Sequence, residues 1–306
     1  MQGLLLIDKP KDMTSFAVVA RVKRLCQTKR VGHTGTLDPM ATGVLPVLVG
    51  RPTVLSSHLL EANKTYLATV QLGLTTNSYD ITGTVLTRQD CAVPLPQLKA
   101  VLKSFLGPQL QVPPMFSALK QNGVRLYSLA RKGQQVERPP REINIYSIEL
   151  LNFTQNTFQI KVACSKGTYI RSLAHDIGER LKTGAVLTEL RRVQTGSFKI
   201  EDCVTLEQLE QQGPAPFLQP AEQAVMHYPA VQVSLKQAAR FSNGGALAFE
   251  RLGNSVPVGQ TVRVCCSACQ NSFIGLGYAN PEQQAVTVLC GVHFVQLPKG
   301  EPGVEQ

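Results

Sequence analysis

The chain has 306 residues, long enough for one large domain and a small one, and its formal net charge of +10 with a pI near 9.3 points to a polyanionic partner, most simply nucleic acid. Its eight cysteines are irregularly spaced, which speaks against a disulfide framework, and no apolar run approaches the roughly 20 residues of a membrane helix. The opening Met1-Gln2-Gly3-Leu4 lacks the basic start of a signal peptide, so a soluble cytoplasmic protein is expected.

Residues 3–7 read as a short apolar strand, broken by Asp8-Lys9-Pro10-Lys11-Asp12. Thr14 is placed to cap a helix from Ser15 to about Cys26, with Phe16, Val19, Val22 and Leu25 at helical spacing. The other side of that helix carries Arg21, Lys23 and Arg24, continued by Lys29 and Arg30; it is either a solvated face or a phosphate contact. The stretch 31–43, Val-Gly-His-Thr-Gly-Thr-Leu-Asp-Pro-Met-Ala-Thr-Gly, then gathers three glycines, three threonines, His33 and Asp38 ahead of the apolar run 44–49. It has little to bury and many polar groups to satisfy, so it reads as a structured loop whose glycines let a ligand approach the backbone. Pro39 biases Asp38 away from helix and fixes its direction.

Residues 64–73 alternate as a half-buried strand, residues 83–87 offer a partner after a turn-like 75–80, and residues 95–105 read as a helix with Leu98, Val101, Leu102 and Phe105 on one face. Residues 112–142 differ in kind. Pro113-Pro114 opens the segment, Pro139-Pro140 nearly closes it, and Lys120, Arg125, Arg131, Lys132 and Arg138 alternate with Phe116 and Tyr127. Basic residues with aromatics inside proline brackets suit either an excursion that grips a nucleic-acid backbone or a merely flexible insertion. A hairpin follows over 142–153 and 157–164, then a helix that Thr168 can cap, with Ile170, Leu173, Ala174, Ile177 and Leu181 as its apolar stripe. Tyr169 and Arg171 lie beside that stripe, where they can face a pocket. Residues 187–198 read as a strand containing Arg191-Arg192. Pro214, Pro216 and Pro220 mark a linker, and from Tyr228 short strands with glycine turns make a small all-β unit of about 70 residues.

The loop lacks the Lys-Ser/Thr ending of a P-loop and the spacing of a dinucleotide fingerprint. Cys266-x2-Cys269 and Cys290-x2-His293 have zinc-ribbon spacing, but both pairs lie in or beside strands, where positions i and i+3 face opposite sides; buried cysteines are the expected reading. No G-x-S-x-G elbow appears, and no cysteine adjoins a histidine. Asp38 remains as a nucleophile or base. A carboxylate in a partly dry pocket needs a cation to stay ionised, and Arg171 is a candidate. Tyr66 and Tyr169 could present flat faces to an extruded base.

At these residues the sequence resembles a known family. Gly32-His33-Thr34-Gly35-Thr36-Leu37-Asp38-Pro39-Met40-Ala41-Thr42-Gly43 resembles the active-site motif of the TruB-type pseudouridine synthases, and Asp8-Lys9-Pro10-Lys11-Asp12-Met13-Thr14-Ser15 their other N-terminal motif. Lys64-x-Tyr66, Ser165-Lys166-Gly167-Thr168-Tyr169-Ile170-Arg171 and Leu190-Arg191-Arg192 resemble three more. The resemblance implies that Asp38 is the catalytic carboxylate, that Arg171 pairs with it, and that Tyr66 stacks on a flipped uracil. It implies that His33 contacts the RNA, that Tyr169 and Leu190 line the substrate pocket, and that Lys9 and Pro10 support the loop. Met40 stands for a more usual leucine, Asn77 for a common aspartate, and Arg51-Pro52-Thr53-Val54 lacks an expected lysine.

The implied fold is α+β: a mixed, mainly antiparallel catalytic domain with flanking helices over residues 1–225, carrying an RNA-gripping insertion at about 113–142. A small all-β module over 229–298 resembles a PUA-like RNA-binding domain. The implied reaction is isomerisation of uridine to pseudouridine at position 55 in the tRNA T loop, with the T arm as partner. No cofactor, metal, membrane or obligatory protein partner is expected, and the chain is expected to be a monomer. A tRNA-remodelling protein without catalysis and a guide-RNA-dependent synthase are the competing readings.

Overall fold

The computed structural model describes residues 1–121, 123–252, 256–269, 272–293 and 295. Strand β1 (Gly3–Lys9), helix α1 (Ser15–Leu25), strands β2 (Val31–His33) and β3 (Thr42–Val49) and helix α2 (Ser56–Leu60) come first. Strands β4 (Lys64–Leu72), β5 (Leu74–Thr76) and β6 (Val85–Arg88) precede helix α3 (Leu95–Lys103) and strand β7 (Gly107–Gln111). The insertion holds the hairpin β8 (Lys120–Gln121) and β9 (Val124–Arg125) and helix α4 (Leu126–Arg131). Strands β10 (Arg141–Phe153) and β11 (Thr157–Cys164), helix α5 (Ile170–Leu181), strands β12 (Ala185–Thr195) and β13 (Phe198–Lys199) and helix α6 (Leu206–Gln212) follow. The last part comprises β14 (Ala230–Val233), α7 (Leu235–Ser242), β15 (Leu247–Ala248), β16 (Thr261–Cys266), β17 (Ser272–Asn280) and β18 (Ala285–Gly291).

The main sheet runs β1-β3-β12-β4-β11-β10-β7, with β2 paired to β3 and β13 to β12. Its pairs are antiparallel except β3–β12, which is parallel where Arg191 faces Thr42 and Arg192 faces Gly43. Strand β4 alternates buried and half-buried along its whole length. Its inward residues Tyr66, Ala68, Val70 and Leu72 share a core with Leu173, Ala174 and Ile177 of α5 and Leu98 and Leu102 of α3. Strands β1 and β3 are buried on both faces, which is why 44–49 is apolar without interruption. Leu5, Ile7, Leu45 and Val47 pack under α1 and α6, whereas Leu4, Leu6, Val44 and Leu48 pack with Cys265, Phe273 and Leu276 of the C-terminal sheet.

Several local expectations change. In α1 the inward positions are Ser15, Val18, Val19 and Val22, at i, i+3, i+4 and i+7, which leaves Phe16 74% exposed. Thr14 does cap that helix, accepting from the Ala17 amide. Thr168 does not cap α5: its hydroxyl donates to the Ser165 carbonyl, and Tyr169 is the N-cap residue without a side-chain bond. Strand β6 pairs with β5 rather than with β4, whose two edges are already taken by β11 and β12. The stretch 187–198 is two strands, because Thr195 and Phe198 pair across a two-residue turn at Gly196-Ser197. Among the described residues of 230–291, the strands form a five-stranded sheet, order β14-β16-β17-β18-β15, that also carries helix α7, so this unit is not all-β. The proline-rich stretch before it is docked: Gln219 bridges to Leu4, and Ala221, Ala224 and Val225 enter the core shared by the two sheets.

Candidate active site

The loop between β2 and β3 is short of apolar side chains, so hydrogen bonds from three directions hold it. Lys9, fully buried at the end of β1, donates its Nζ to the carbonyls of Pro10 (2.8 Å), Met13 (2.6 Å) and Pro39 (3.2 Å). Burial pushes this ammonium down to about 8, with Asp38 and Asp12 opposing and Arg192 assisting. The Ser15 hydroxyl accepts from the Leu37 amide (2.9 Å) and donates to the Leu37 carbonyl (3.1 Å), while the Asp12 amide reaches the Pro39 carbonyl (2.8 Å). From β12, Arg192 donates Nε to the Val44 carbonyl (2.8 Å) and Nη2 to the Gly35 carbonyl (2.9 Å). Beside it Arg191 clamps Asp8 with two bonds, 3.1 and 2.7 Å, and reaches the Thr42 hydroxyl (3.1 Å). Gly43 has to be glycine: its φ is +104°, and a Cβ there would lie 2.1 Å from the Arg192 carbonyl oxygen.

Asp38, at the tip of this loop, meets Arg171 from the first turn of α5 in a two-pronged ion pair. Nε lies 2.8 Å from Oδ2 and Nη2 lies 3.0 Å from Oδ1. The guanidinium is almost wholly enclosed, at 4% exposure, while the Asp38 side chain keeps 33%. Arg171 is held in turn by the carbonyls of Ser78 (3.1 Å) and Phe116 (2.7 Å) and by Asp80, whose Oδ2 is 3.5 Å from Nη1. Asp80 is itself fixed by the Ser78 hydroxyl (2.8 Å) and by the amide (3.0 Å) and hydroxyl (2.6 Å) of Thr82. Burial raises the Asp38 carboxyl above the ordinary carboxylate range and Asp80 adds to this; Arg171 and Lys9 pull it back. The result is a half-open carboxylate, aimed by a bidentate cation and more basic than a free aspartate.

Tyr66 and Leu190 stand on adjacent strands, in the same apolar cluster as Leu37 and Ala41 of the loop. Burial raises the Tyr66 phenol, opposed by the Arg192 guanidinium beside it. Tyr169 is locked by a reciprocal pair with Gln111: its amide donates to Oε1 (2.8 Å) and its carbonyl accepts from Nε2 (3.0 Å). Burial also raises the Tyr169 phenol, with Ser117 and Arg171 opposing. His33 closes β2, opposite Val47. Among the described residues its buried Nδ1 has no partner, and burial plus the Arg192 charge lower its pKa. Asp38, Arg171, Tyr66, Tyr169, Leu190, Lys9 and Pro10 thus converge on one loop, and His33 stands at its entry. Ser15, Asp80 and Arg192 were given no role in the sequence reading. The available signal was Arg192 itself, a charged residue inside a strand with buried neighbours, which needs acceptors.

Elsewhere the insertion turns inward more than its charge suggests. Arg131 lies 4.6 Å over the Tyr127 ring, which meets Phe116 edge to face at 6.3 Å, and Arg138 donates to the Pro113 carbonyl. On α1, Arg21 and Arg24 pair with Glu210 of α6 at 2.6 and 3.7 Å. Asn77 closes its turn by accepting from the Thr84 amide. The zinc pattern includes Cys269, whose side chain lies outside the described residues, and Cys290 packs at the seam with the C-terminal sheet. Among the described residues no three His, Cys, Asp or Glu groups gather as a metal site, and no helix is long and apolar enough to cross a membrane.

Comparison with known proteins places this geometry. The N-terminal domain model of TruB family pseudouridylate synthases matches residues 23–170, and the tRNA pseudouridylate synthase B C-terminal domain model matches residues 171–226. The chain is 43% identical over 277 residues to tRNA pseudouridine synthase B of Clostridium kluyveri, covering 90% of the chain and 95% of that protein. It is 42% identical over 304 residues to the Dehalococcoides mccartyi protein of the same name, covering 98% and 99%. Among solved structures, a Cbf5-Nop10-Gar1 complex contains a chain with TM-score 0.73 and 30% identity, matched over 95% of this chain and 85% of that one. An H/ACA RNP bound to a substrate RNA containing 2'-deoxyuridine gives TM-score 0.72 and 27% identity over the same shares.

Proposed function

The chain belongs to the TruB family of pseudouridylate synthases, and we propose that it acts at position 55, in the T loop of tRNA. It is an isomerase that converts uridine in tRNA to pseudouridine. The bidentate Asp38–Arg171 pair, set on a loop braced from β1, α1 and β12, is the observation that supports Asp38 as its reacting carboxylate. In this reaction the N1–C1′ bond breaks, the uracil turns within the pocket and C5 bonds to C1′. The proton on C5 leaves and N1 acquires one, so the composition is unchanged and neither a redox partner nor a group donor is required. Asp38 attacks C1′, adds to C6 or takes the C2′ proton, and each of these steps requires the ionised carboxylate that Arg171 favours.

In this reading Tyr66 stacks on the flipped uracil, Tyr169 and Leu190 wall the pocket, and His33 meets the displaced RNA, while Lys9 and Pro10 brace the loop. Flipping costs a few kcal/mol, least where the base is unpaired, and stacking on an aromatic ring offsets roughly 1–3 kcal/mol of it. The insertion 113–142 clamps the T arm, and the PUA-like unit over 229–298 adds RNA contact beyond the 1–225 catalytic domain. The chain works in the cytoplasm as a monomer without an obligatory protein partner. That last point draws on identity: the relatives from Clostridium kluyveri and Dehalococcoides mccartyi named tRNA pseudouridine synthase B match at 43% and 42%, the Cbf5 chain at 30%.

The test is tritium release from 5-³H-uridine-labelled tRNA transcript with the purified chain alone. Wild type releases tritium, a transcript carrying cytidine at position 55 gives none, and Asp38→Asn slows release by at least about 10³-fold. Equal rates for wild type and Asp38→Asn would remove Asp38 from the chemistry. Release only after a guide RNA or second protein is added would overturn the independent enzyme.

A further inference from the structure

Tyr79 has a φ of +64°, a left-handed backbone that a bulky aromatic residue rarely adopts. It sits between two residues that grip Arg171: the Ser78 carbonyl accepts from Nη1 at 3.1 Å, and the Asp80 carboxylate lies 3.5 Å from the same nitrogen. Backbone strain of this kind persists only where the surroundings over-determine it. Here two contacts do so. The Tyr79 carbonyl accepts from the Leu187 amide of β12, and the Tyr79 ring lies flat on the His175 imidazole, with centroids 4.0 Å apart and planes 7° from parallel. His175 is on α5, four residues after Arg171, so the stack ties the 76–84 turn to the helix that carries the guanidinium. Among the described residues the buried His175 Nδ1 has no hydrogen-bond partner. That nitrogen is not what the ring contributes; its flat face is.

We propose that Tyr79 and His175 form a positioning pair, which holds Ser78 and Asp80 in the setting that orients Arg171 and, through it, the Asp38 carboxylate. The inference rests on the reading of Asp38 as the reacting group. Neither ring needs to touch the nucleotide. His175 is spaced from Arg171 by one helical turn, and Tyr79 is joined covalently to both of the groups that fix Arg171 from the far side.

The experiment measures single-turnover pseudouridine formation, tRNA affinity and thermal midpoint for His175→Ala, His175→Phe and Tyr79→Gly. Displacing a catalytic constellation by about 1 Å costs up to about 10²-fold in rate, so His175→Ala slows turnover about tenfold or more with tRNA affinity unchanged. His175→Phe restores the rate to near wild type, because it keeps a flat face and loses no hydrogen bond at Nδ1. Tyr79→Gly removes the ring but relieves the left-handed backbone; the two effects offset, so its thermal midpoint stays within a few degrees of wild type while its rate falls. A residue that merely stabilised the fold would not separate rate from stability in this way. Wild-type rates for His175→Ala and Tyr79→Gly overturn the proposal, as does a loss that follows tRNA affinity or melting, or a His175→Phe variant as slow as His175→Ala. Asp38→Asn in the same assay separates the two levels: if it retains activity the functional reading fails, and if it alone is inactive only the positioning pair fails.

Discussion

At the scale of single residues, the site is a chain of buried charges in which each group sets the next. Asp38 carries a raised pKa, so it protonates at higher pH than a free aspartate. The pH profile of single-turnover rate is therefore expected to fall on its acid side at a value above the ordinary 3.8. An acid limb at or below that value would contradict an enclosed reacting carboxylate. The linkage has a defined sign. Between 3.8 and the raised value the folded chain binds more protons than the unfolded one, so the Asp38 contribution to stability falls as pH rises through that window. Asp38→Asn should accordingly gain stability relative to wild type across the same window in urea titrations. Arg192, 1% exposed and bonded to the Gly35 carbonyl of the loop and the Val44 carbonyl of β3, braces the same loop from the strand side. Lysine carries the charge but lacks the fork that reaches both acceptors. Arg192→Lys is expected to slow turnover about tenfold or more while leaving tRNA affinity within about twofold. A filter-binding assay beside the rate measurement checks this, and a proportional loss of both would point to a collapsed loop.

At the scale of elements, the parallel contact between β3 and β12 is where the Asp38 loop returns to the sheet. That contact needs Gly43, which combines a left-handed φ with a Cβ direction blocked by backbone. Gly43→Ala is expected to cost at least about 3 kcal/mol, from backbone strain and the displaced strand together. Gly213 provides the contrast: its φ is also positive, at +74°, but open space surrounds it, so Gly213→Ala should cost only the backbone strain, about 1–3 kcal/mol, with no strand displaced. Urea midpoints for the two variants test the difference; similar values would mean that the β3–β12 contact tolerates separation. Helix α1 shows what periodicity can and cannot say. Its length and Thr14 cap were legible, but Phe16 and Val18, about 200° apart on the helical wheel, flank the Val19 and Val22 stripe from opposite sides, and periodicity admits either. The choice fell to Val18 because Ser15 must point at Leu37.

At the scale of the whole molecule, the two sheets share a core. Leu4, Leu6, Val44 and Leu48 of the main sheet lie against Cys265, Phe273 and Leu276, with the 221–225 segment between. Arg263 reinforces the seam, donating to the Tyr228 carbonyl (2.8 Å) and pairing with Glu222. Ending the chain after residue 228 would expose several of these side chains, each contributing about 1.5–3 kcal/mol when buried. The shortened protein is expected to melt at least about 10 °C lower and to lose soluble yield. An unchanged thermal midpoint would show that the C-terminal sheet is an appendage rather than part of the scaffold behind the Asp38 loop.

The sequence by itself determined the family motifs and most of the elements. The motif around Asp38, the alternating strand at Tyr66 and the apolar stripe after Arg171 are local patterns, and period and turn chemistry are written in consecutive residues. Only the tertiary structure decided which charges meet. Asp38 and Arg171 are 133 positions apart, and the second carboxylate on that guanidinium, Asp80, stood in a stretch that read only as a turn. Arg192 likewise looked like one of two arginines on a strand until the fold showed it reaching Gly35 and Val44. Partners so distant in sequence leave no periodic trace, because burial and ion pairing depend on how strands are ordered in the sheet rather than on the order of residues in the chain.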